Sequence, residues 1–441
     1  MLSRIDLRGD RSDPSARLPR ASEEATADVR ATVRRILDAV RTGGDEAVDR
    51  LTAELDGYDG GVGHEVHADE VAEAVATISP ELRAALERAV DQVSWFHERS
   101  RPRDWSDERG GARMGVRHTP LRRIAAYVPG GLSPLVSTAI MTIVPARTAG
   151  VDEVLLFTPP RPDGSVAPAI LAAAQLAGGA DRIYRIGGAQ AVAAAAYGTA
   201  TVPRCDKVVG PGNAYVAEAK QQVAAEGTCA IDLRAGTTEV AIIADDTADP
   251  RQVAADLVAQ AEHDPLATAI LITASTALVD AVDAALIEEV AATRHRERVD
   301  AALAGQGAAV LVDDLDHAIT VADAFAAEHL EVQTADAGEV AGRIRCAGAI
   351  FVGGSTPVSL GDYAAGPNHT LPTGGSARFT GGLRTDDFFV PINWVACSED
   401  ALADLAPVVY ALGEAEDLPA HARAVEVRVG ERAPRAPRVG P

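Results

Sequence analysis

Short apolar segments alternate with Ala-rich segments of helical spacing along most of the chain after residue 123. The apolar segments predict two series of strands: first RIAAYV, EVLLFTPP, DRIYRIGG and DKVVGPGN, then TEVAIIADD, TAILITAS, AAVLVDD and HLEVQT. Helices are predicted between them at 135–148, 166–178, 189–198, 214–225, 250–263, 276–291, 295–303, 315–325 and 336–345. This alternation with short connections is typical of parallel sheets covered on both faces, so we expect an α/β protein with two doubly wound parallel-sheet domains.

The two ends of the chain have a different pattern. Residues 23–55 and 70–99 have helical spacing, so the first quarter is expected to be mostly helical. Residues 399–427 are predicted to form a helix and a short strand, and residues 431–441 a disordered tail. Residues 350–384 are rich in Gly and Pro and predict a long ordered loop, which is usually functional inside a compact enzyme.

Composition and charge limit the classes of partner. With 441 residues, of which 47% are hydrophobic, the chain predicts a folded protein of about two or three domains. A formal net charge of −23 argues against nucleic acid or an anionic membrane as a partner, although a basic cleft could still bind a small anion. The N-terminal sequence has no apolar core of signal-peptide length, and no membrane span follows, so we expect a cytoplasmic protein.

The four cysteines are scattered and form no C-x-x-C pair. They therefore suggest neither a disulfide framework nor a thiolate zinc site, and we expect small buried hydrophobic residues. The alternative, a nucleophilic cysteine that captures an aldehyde, has no supporting motif. The residues concerned are Cys205, Cys229, Cys346 and Cys397.

Three glycine-containing turns follow predicted strands, at YVPGG (127–131), IGGAQA (186–191) and GPGNAYV (210–216). The carboxyl ends of parallel strands are where open sheets bind ligands, and glycine lets backbone N–H groups approach a phosphate. None of the turns is G-x-G-x-x-G. A dinucleotide site and simple tight turns are both open from the spacing alone.

The tripeptide Ala-Glu-His occurs twice, in AQAEHDP and in AFAAEHLEV. Gln260 and His263 are three residues apart at a predicted helix end, so both can point at one atom, as metal ligands or as structural residues. Glu328 and His329 open a predicted strand, where an adjacent carboxylate and imidazole form either an acid/base pair or a surface pair.

Two further groups carry similar chemistry. Asp362 and His369 lie in the loop sequence GDYAAGPNH, and Glu416 and His421 in AEDLPAH. A set of nitrogen and oxygen donors from such segments is of the kind that zinc accepts. Spacing alone does not group them.

Eight motifs in order resemble the histidinol dehydrogenase family: YVPGG, GGAQA, GPGN, AGTTEV, QAEHD, AEHLE, GDYAAGPNHTLPT and AEDLPAH. The resemblance runs from MLSRIDLRG nearly to the tail. It implies two successive NAD-dependent oxidations at one zinc site, L-histidinol through L-histidinal to L-histidine, at the end of histidine biosynthesis. It also implies two Rossmann-like domains with small terminal extensions, and an intertwined homodimer with shared active sites.

The resemblance also implies roles for individual residues. His329 would deprotonate the hydroxyl, and Glu328 would activate the water that attacks the aldehyde. The ligands of one zinc per subunit would be Gln260, His263, Asp362 and, from the partner subunit, His421. NAD would be bound by Tyr127, Gln190 and Asn213. The substrate would be bound by Thr238, Glu416, His329 and the zinc ligands.

The same resemblance implies a division into domains. We expect an N-terminal arm (1–23), a main domain (24–126 and 240–383) with the zinc and catalytic residues, and an inserted NAD-binding domain (127–239). A C-terminal extension (384–430) would reach the partner subunit, before the tail (431–441).

Several positions depart from the pattern of the family. Arg234 and Thr237 stand where apolar residues or proline are common, Ala327 stands where proline is common, and Thr238 replaces a frequent serine. The stretch TDDFFVPINWV (385–395) lacks the family's usual basic and polar pattern.

Arg234 either pairs with a surface carboxylate or adds a cation for an anionic substrate. The second interpretation predicts a paralogous zinc- and NAD-dependent dehydrogenase of another polar alcohol, and a zinc hydrolase is a remoter alternative.

Overall fold

The computed structural model describes residues 2–21, 26–61, 63–130, 134–233 and 236–430. The chain divides into two compact units, the first formed by Met1–Ser100 and Leu121–Phe388, the second by Arg101–Pro120 and Phe389–Pro441. The predicted tail at 431–441 lies outside the described residues, as does Arg234.

The strands of the described residues form three sheets. They are β1 (Ser3–Asp6), β2 (Trp105–Arg109), β3 (Ala112–Pro120), β4 (Arg123–Tyr127), β5 (Glu153–Phe157), β6 (Arg182–Tyr184), β7 (Lys207–Val209), β8 (Ala230–Ile231), β9 (Glu239–Ala244), β10 (Thr268–Thr273), β11 (Gly307–Leu311), β12 (His329–Gln333), β13 (Ala349–Val352) and β14 (Phe389–Cys397).

Helices connect most of these strands. They are α1 (Ala27–Asp56), α2 (Ala68–Thr77), α3 (Pro80–Arg99), α4 (Val136–Ala149), α5 (Pro168–Leu176), α6 (Gly188–Tyr197), α7 (Ala214–Ala225), α8 (Pro250–Ala261), α9 (Thr276–Ala292), α10 (Arg296–Gln306), α11 (Leu315–Phe325), α12 (Ala337–Arg343), α13 (Val358–Tyr363), α14 (Glu399–Ala415) and α15 (Pro419–Val429). Single 3₁₀ turns cover Ser376–Arg378 and Thr385–Phe388.

A six-stranded parallel sheet in the first unit has the order β1-β11-β10-β9-β12-β13. From β9 the chain runs outward through β10 to β11, and then returns to place β12 on the other side of β9. Successive residues of β9 point to opposite faces. Val240 and Ile242 pack under α8, α9 and α10, and Ala241 and Ile243 pack under α11. Both faces are thus buried, which explains the continuous apolar sequence of this strand.

A five-stranded parallel sheet has the order β6-β5-β4-β7-β8, with its own change of direction between β4 and β7. The apolar side of α1 packs with α6 and α7 on one face. Helix α4 packs against β4 and β5 and contacts α3 and α5. The two predicted doubly wound sheets are therefore present in the first unit.

The packing of α1 and β4 bears on one boundary of the predicted division. Residues 24–126 were assigned to the main domain, but α1 buries Val33, Leu37 and Val40 in the core of the five-stranded sheet. Strand β4 at 123–127 is the middle strand of that sheet, although the inserted domain was expected to begin at 127. The physical reason is the apolar face of α1, which matches the Ala-rich face of α6. The division into domains stays a prediction.

The second unit contains an antiparallel sheet of order β14-β3-β2 and the helix pair α14 and α15. These strands were not predicted from the sequence. Every residue of β2 and most residues of β14 are exposed, so neither strand has the alternation of buried and exposed residues that predicts a strand. The short strand predicted within 399–427 was wrong: that segment forms two helices, separated where Asp417 adopts φ 55°. Strands β1 and β13, at the two edges of the six-stranded sheet, were likewise not predicted. The expectation of a loop at 350–384 was wrong where the segment forms the end of β13 and helix α13.

Among the described residues, no helix is both long and apolar enough to cross a membrane.

One buried histidine in the first unit predicts a dependence of stability on pH. His97 is fully buried beside Thr385, and burial lowers its pKa to about 4. In the unfolded chain this histidine binds a proton near pH 6.5, whereas in the folded protein it does so only near pH 4. The free energy of unfolding therefore falls as the pH is lowered from 6.5 toward 4, by about 3 kcal/mol in total. Urea unfolding at pH 7 and 4.5 should show this loss in the wild type and a smaller loss in His97→Gln. The exposed His295→Gln variant is the control, and equal pH slopes in all three proteins would contradict the assignment.

Candidate active site

The parallel pairing of β9 with β12 brings two distant segments together at the amino ends of both strands. Glu328, directly before β12, accepts hydrogen bonds at Oε2 from the Thr238 hydroxyl (2.5 Å) and from the Glu239 backbone N–H (2.9 Å). His329, the first residue of β12, has its Nδ1 3.1 Å from the Glu239 carbonyl oxygen. One residue, Glu239, therefore contacts both predicted catalytic side chains through its backbone.

These bonds indicate the protonation state of each predicted catalytic group. The Glu239 carbonyl oxygen can only accept a hydrogen bond, so Nδ1 of His329 carries the proton. The lone pair of the neutral ring is therefore on Nε2, which is buried without a hydrogen-bond partner. Burial lowers the pKa of His329. Burial also raises the pKa of Glu328 to about 7, against the opposing effect of its two hydrogen bonds. A neutral imidazole beside a carboxyl group that titrates near neutrality is suited to proton transfer.

The predicted metal ligands of the first unit lie beside this pair. Asp362 on α13 has one carboxylate oxygen 3.8 Å from His263 Nε2 and the other 4.0 Å from His329 Nε2. Gln260, near the end of α8, donates through Nε2 to Thr238 Oγ1 (2.6 Å), and its Oε1 is buried without a partner. The unit thus supplies an amide oxygen, an imidazole nitrogen and a carboxylate oxygen, donors that zinc accepts. Within the described ranges, no group of three or more His, Cys, Asp or Glu residues has the arrangement of a metal site.

A cavity of about 810 Å³ opens over these groups. Its polar lining residues include Thr238, His263, Glu328, His329, Asp362 and His369. Its apolar lining residues include Leu82, Leu86 and Ile140. A mostly apolar cleft with a few convergent polar groups is typical of a small-molecule site.

The predicted cofactor residues separate into two places. Asn213 lines the cavity and caps α7, with its Oδ1 accepting from the N–H groups of Tyr215 and Val216. Tyr127 and Gln190 are buried and hold the turn before α6: the Tyr127 hydroxyl accepts from Gly188 N–H (3.1 Å), and Gln190 donates to Asp56 (2.9 Å). Neither of these two is among the residues that line the cavity.

One glycine of the GPGN turn is required by its packing. Gly210 has φ 109°, and a Cβ there would lie 2.2 Å from the carbonyl oxygen of Tyr127. A side chain would therefore push β4 and β7 apart at the point where the strand order of the sheet reverses. The buried Lys220 fixes the same turn, since its ammonium group bonds the Gly210 carbonyl (2.8 Å) and Asp232 (2.5 Å).

Residues 19–429 match the family model of histidinol dehydrogenase. The chain belongs to the histidinol dehydrogenase family. It is 47% identical over 434 residues to the histidinol dehydrogenase of Thermobifida fusca, covering 97% of this chain and 98% of that protein. It is 46% identical over 439 residues to that of Nocardia farcinica, with the same coverage of 97% and 98%. The crystal structure of histidinol dehydrogenase from Elizabethkingia anophelis matches with a TM-score of 0.93 at 32% identity, covering 98% of both chains.

These similarities confirm the family and the α/β fold that the sequence predicts, and they make the protein an oxidoreductase. The zinc hydrolase alternative is thereby set aside. Arg234, on which the paralogue hypothesis depended, lies outside the described residues.

The two remaining predicted residues belong to the second unit. Glu416 ends α14 and His421 lies in the first turn of α15, so both are at the exposed corner between these helices. The roles of Glu416 in binding substrate and of His421 in binding zinc and substrate remain predictions.

Two residues to which the sequence assigned no role lie at the cavity or beside a predicted cofactor residue. His369 lines the cavity with its Nε2 buried and unpartnered, and burial lowers its pKa. Asp56 holds Gln190, and its burial raises its pKa to about 6. The position of His369 in the Gly-rich loop was a usable signal, whereas Asp56 ends a helix 134 residues away from its partner and gave none.

The structure also refines the expectation for the cysteines. Cys205 and Cys229 are buried, and burial raises the pKa of both thiols, that of Cys229 to about 12. Cys346 is half-buried and Cys397 exposed, so the expectation of four buried residues was wrong for these two. None of the four is among the residues that line the cavity, which leaves a nucleophilic cysteine without support.

Proposed function

We propose that the protein oxidises L-histidinol through L-histidinal to L-histidine at a site that holds one zinc ion. Each of the two oxidations would reduce one NAD molecule. The observation that carries the proposal is the Glu328–His329 pair. Both side chains are buried, both bond to the backbone of Glu239, and both line a cavity that also holds His263 and Asp362. Conversion of an alcohol to a carboxylate needs one group that takes a proton from a hydroxyl and one that takes a proton from water.

His329 is suited to the first oxidation. Loss of two electrons and one hydrogen as hydride from the carbinol carbon must be accompanied by loss of the hydroxyl proton, which gives the aldehyde. With Nδ1 held by the Glu239 carbonyl, Nε2 is the atom that accepts this proton. Because burial favours the neutral ring, His329 begins the step unprotonated.

Glu328 is suited to the second oxidation. The aldehyde must add water before a second hydride can leave, so a base must take a proton from that water. Both hydrogen bonds to Glu328 go to Oε2, so Oε1 is the oxygen that can receive the proton. Thr238 fixes the carboxylate and is itself held by Gln260, so this predicted substrate residue also orients the base.

Two groups complete the proposal. NAD, bound by Tyr127, Gln190 and Asn213, would supply the hydride acceptor for both steps. Zinc, held by Gln260, His263, Asp362 and His421 of the partner subunit, would orient the amino and imidazole nitrogens of the substrate. The unpartnered Gln260 Oε1 and the separation of His263 from Asp362 fit such an ion. Glu416 would contact the substrate, since a carboxylate suits an ammonium group.

A homodimer with shared sites is part of the proposal, and so is a cytoplasmic location. The second unit exposes apolar residues that a partner subunit would cover, and it carries Glu416 and His421 on an exposed corner. The most exposed of these apolar residues are Val395, Leu412, Val427, Trp105 and Val408.

The yield of NADH tests the function. With limiting L-histidinol, excess NAD and added zinc, we expect about two NADH per substrate, because a four-electron oxidation releases two hydrides. Removal of zinc by a chelator should abolish turnover, and addition of zinc should restore it. One NADH with release of the aldehyde would contradict the proposal, and no NADH from zinc-loaded protein would point to another polar alcohol as substrate.

Complementation tests the shared site. His329→Ala and His421→Ala should each be inactive as homodimers. If His421 serves the partner's site, a mixed dimer of the two variants has one site with both histidines, and random mixing should restore roughly a quarter of wild-type activity. If both histidines serve one chain, every mixed dimer stays inactive, which would refute the sharing.

A further inference from the structure

The backbone of Glu239 serves both predicted catalytic groups, so its position matters to both oxidations. Its N–H bonds Glu328 and its carbonyl bonds His329, at 2.9 and 3.1 Å. A small rotation of residue 239 would displace both groups from the substrate. The side chain of Glu239 is buried, with 1% of its surface exposed.

Arg20, in the N-terminal arm, forms an ion pair with this carboxylate. Its Nε lies 2.8 Å from Glu239 Oε1, and 26% of its side chain is exposed. Because a buried carboxylate needs a counter-charge to stay ionised, the cation from the arm favours the observed position of Glu239.

The same guanidinium also holds the segment that leads to Glu328. Its Nη2 donates to the carbonyl oxygen of Phe325, the last residue of α11, and its Cζ lies 4.4 Å from the centre of the Phe325 ring. The next residue, Ala326, has φ 50°, a left-handed conformation that a non-glycine residue adopts only at a cost. This turn carries the chain from α11 to Glu328.

We propose that Arg20 is a positioning residue for the reaction: it fixes the Glu239 backbone on one side and the turn after Phe325 on the other, and so aligns Glu328 and His329. The inference rests on the proposed function, because it needs these two residues to be the proton-transfer groups. It extends that function to the N-terminal arm, which then takes part in both oxidations without touching substrate.

Arg20→Ala tests the proposal, with Arg17→Ala as the matched control. Arg17 belongs to the same arm but forms an exposed ion pair with Asp10. We expect kcat for both oxidations to fall about 10- to 100-fold in Arg20→Ala, as for a displacement of reacting groups by about 1 Å, with KM and zinc content near wild type. Arg17→Ala should keep wild-type kcat.

Chemical rescue distinguishes positioning from a loss of folding. Added N-ethylguanidinium should restore part of kcat in Arg20→Ala and have no effect on Arg17→Ala. A kcat within twofold of the control, or a loss that guanidinium does not change, would overturn the inference. The wild type measured beside them separates the two proposals: if it does not form two NADH per histidinol, the proposed function itself fails.

Two conservative variants apply if Arg20→Ala does not fold. Arg20→Lys keeps the charge near Glu239 but cannot also bond Phe325, so we expect an intermediate kcat. Glu239→Gln keeps the shape and removes the charge, so we expect a reduced kcat that guanidinium does not restore. Wild-type kcat in both variants would refute a role for the pair.

Discussion

The parallel pairing of β9 with β12 is the constraint on which the candidate site depends. Its register sets His329 beside Val240, so that residues about 90 apart in sequence form hydrogen bonds at the amino ends of two central strands. The strand order reverses between these two strands. Open α/β sheets usually bind ligands at the carboxyl ends of their strands. In the six-stranded sheet the candidate site lies at the amino ends instead, because α8 runs back along β9 and brings Gln260 and His263 beside them.

Burial at this position gives the two neighbours different proton affinities. His329 loses affinity for a proton because its charged form is poorly solvated, whereas Glu328 gains affinity for the same reason. Their hydrogen bonds leave Nε2 of His329 free to accept a proton in the proposed reaction, and both bonds of Glu328 use a single carboxylate oxygen. Two adjacent residues of one strand end can therefore serve two different proton transfers.

The sequence predicted the elements that are buried on both faces and missed those that are exposed. Strands β9 and β10 were found because every residue in them is buried, which gives a continuous apolar run. Strands β2 and β14 were missed because most of their residues are exposed, and their pairing is set by partners far along the chain. The sheet on which α1 packs was not predictable either, since a helix pattern shows that one face is buried but not which sheet covers it.

The site was predictable in part. Spacing alone singled out Gln260 with His263 and Glu328 with His329, because each pair is close in sequence. Asp362 joined them only through the resemblance to a family, since about 100 residues separate it from His263 and only the fold brings them within 3.8 Å. Glu239 and Arg20 gave no signal, because their contribution is a backbone position and an ion pair between segments about 220 residues apart.

The division of labour between Glu328 and His329 is the central claim, and Glu328→Gln tests it most directly. The two oxidations should be followed separately by stopped flow, with L-histidinol and then L-histidinal as substrate and semicarbazide present in the first case to trap free aldehyde. We expect a first hydride transfer near the wild-type rate, with aldehyde trapped, and a second oxidation slowed by about 100-fold or more. Equal slowing of both oxidations, or a second oxidation at the wild-type rate, would contradict it.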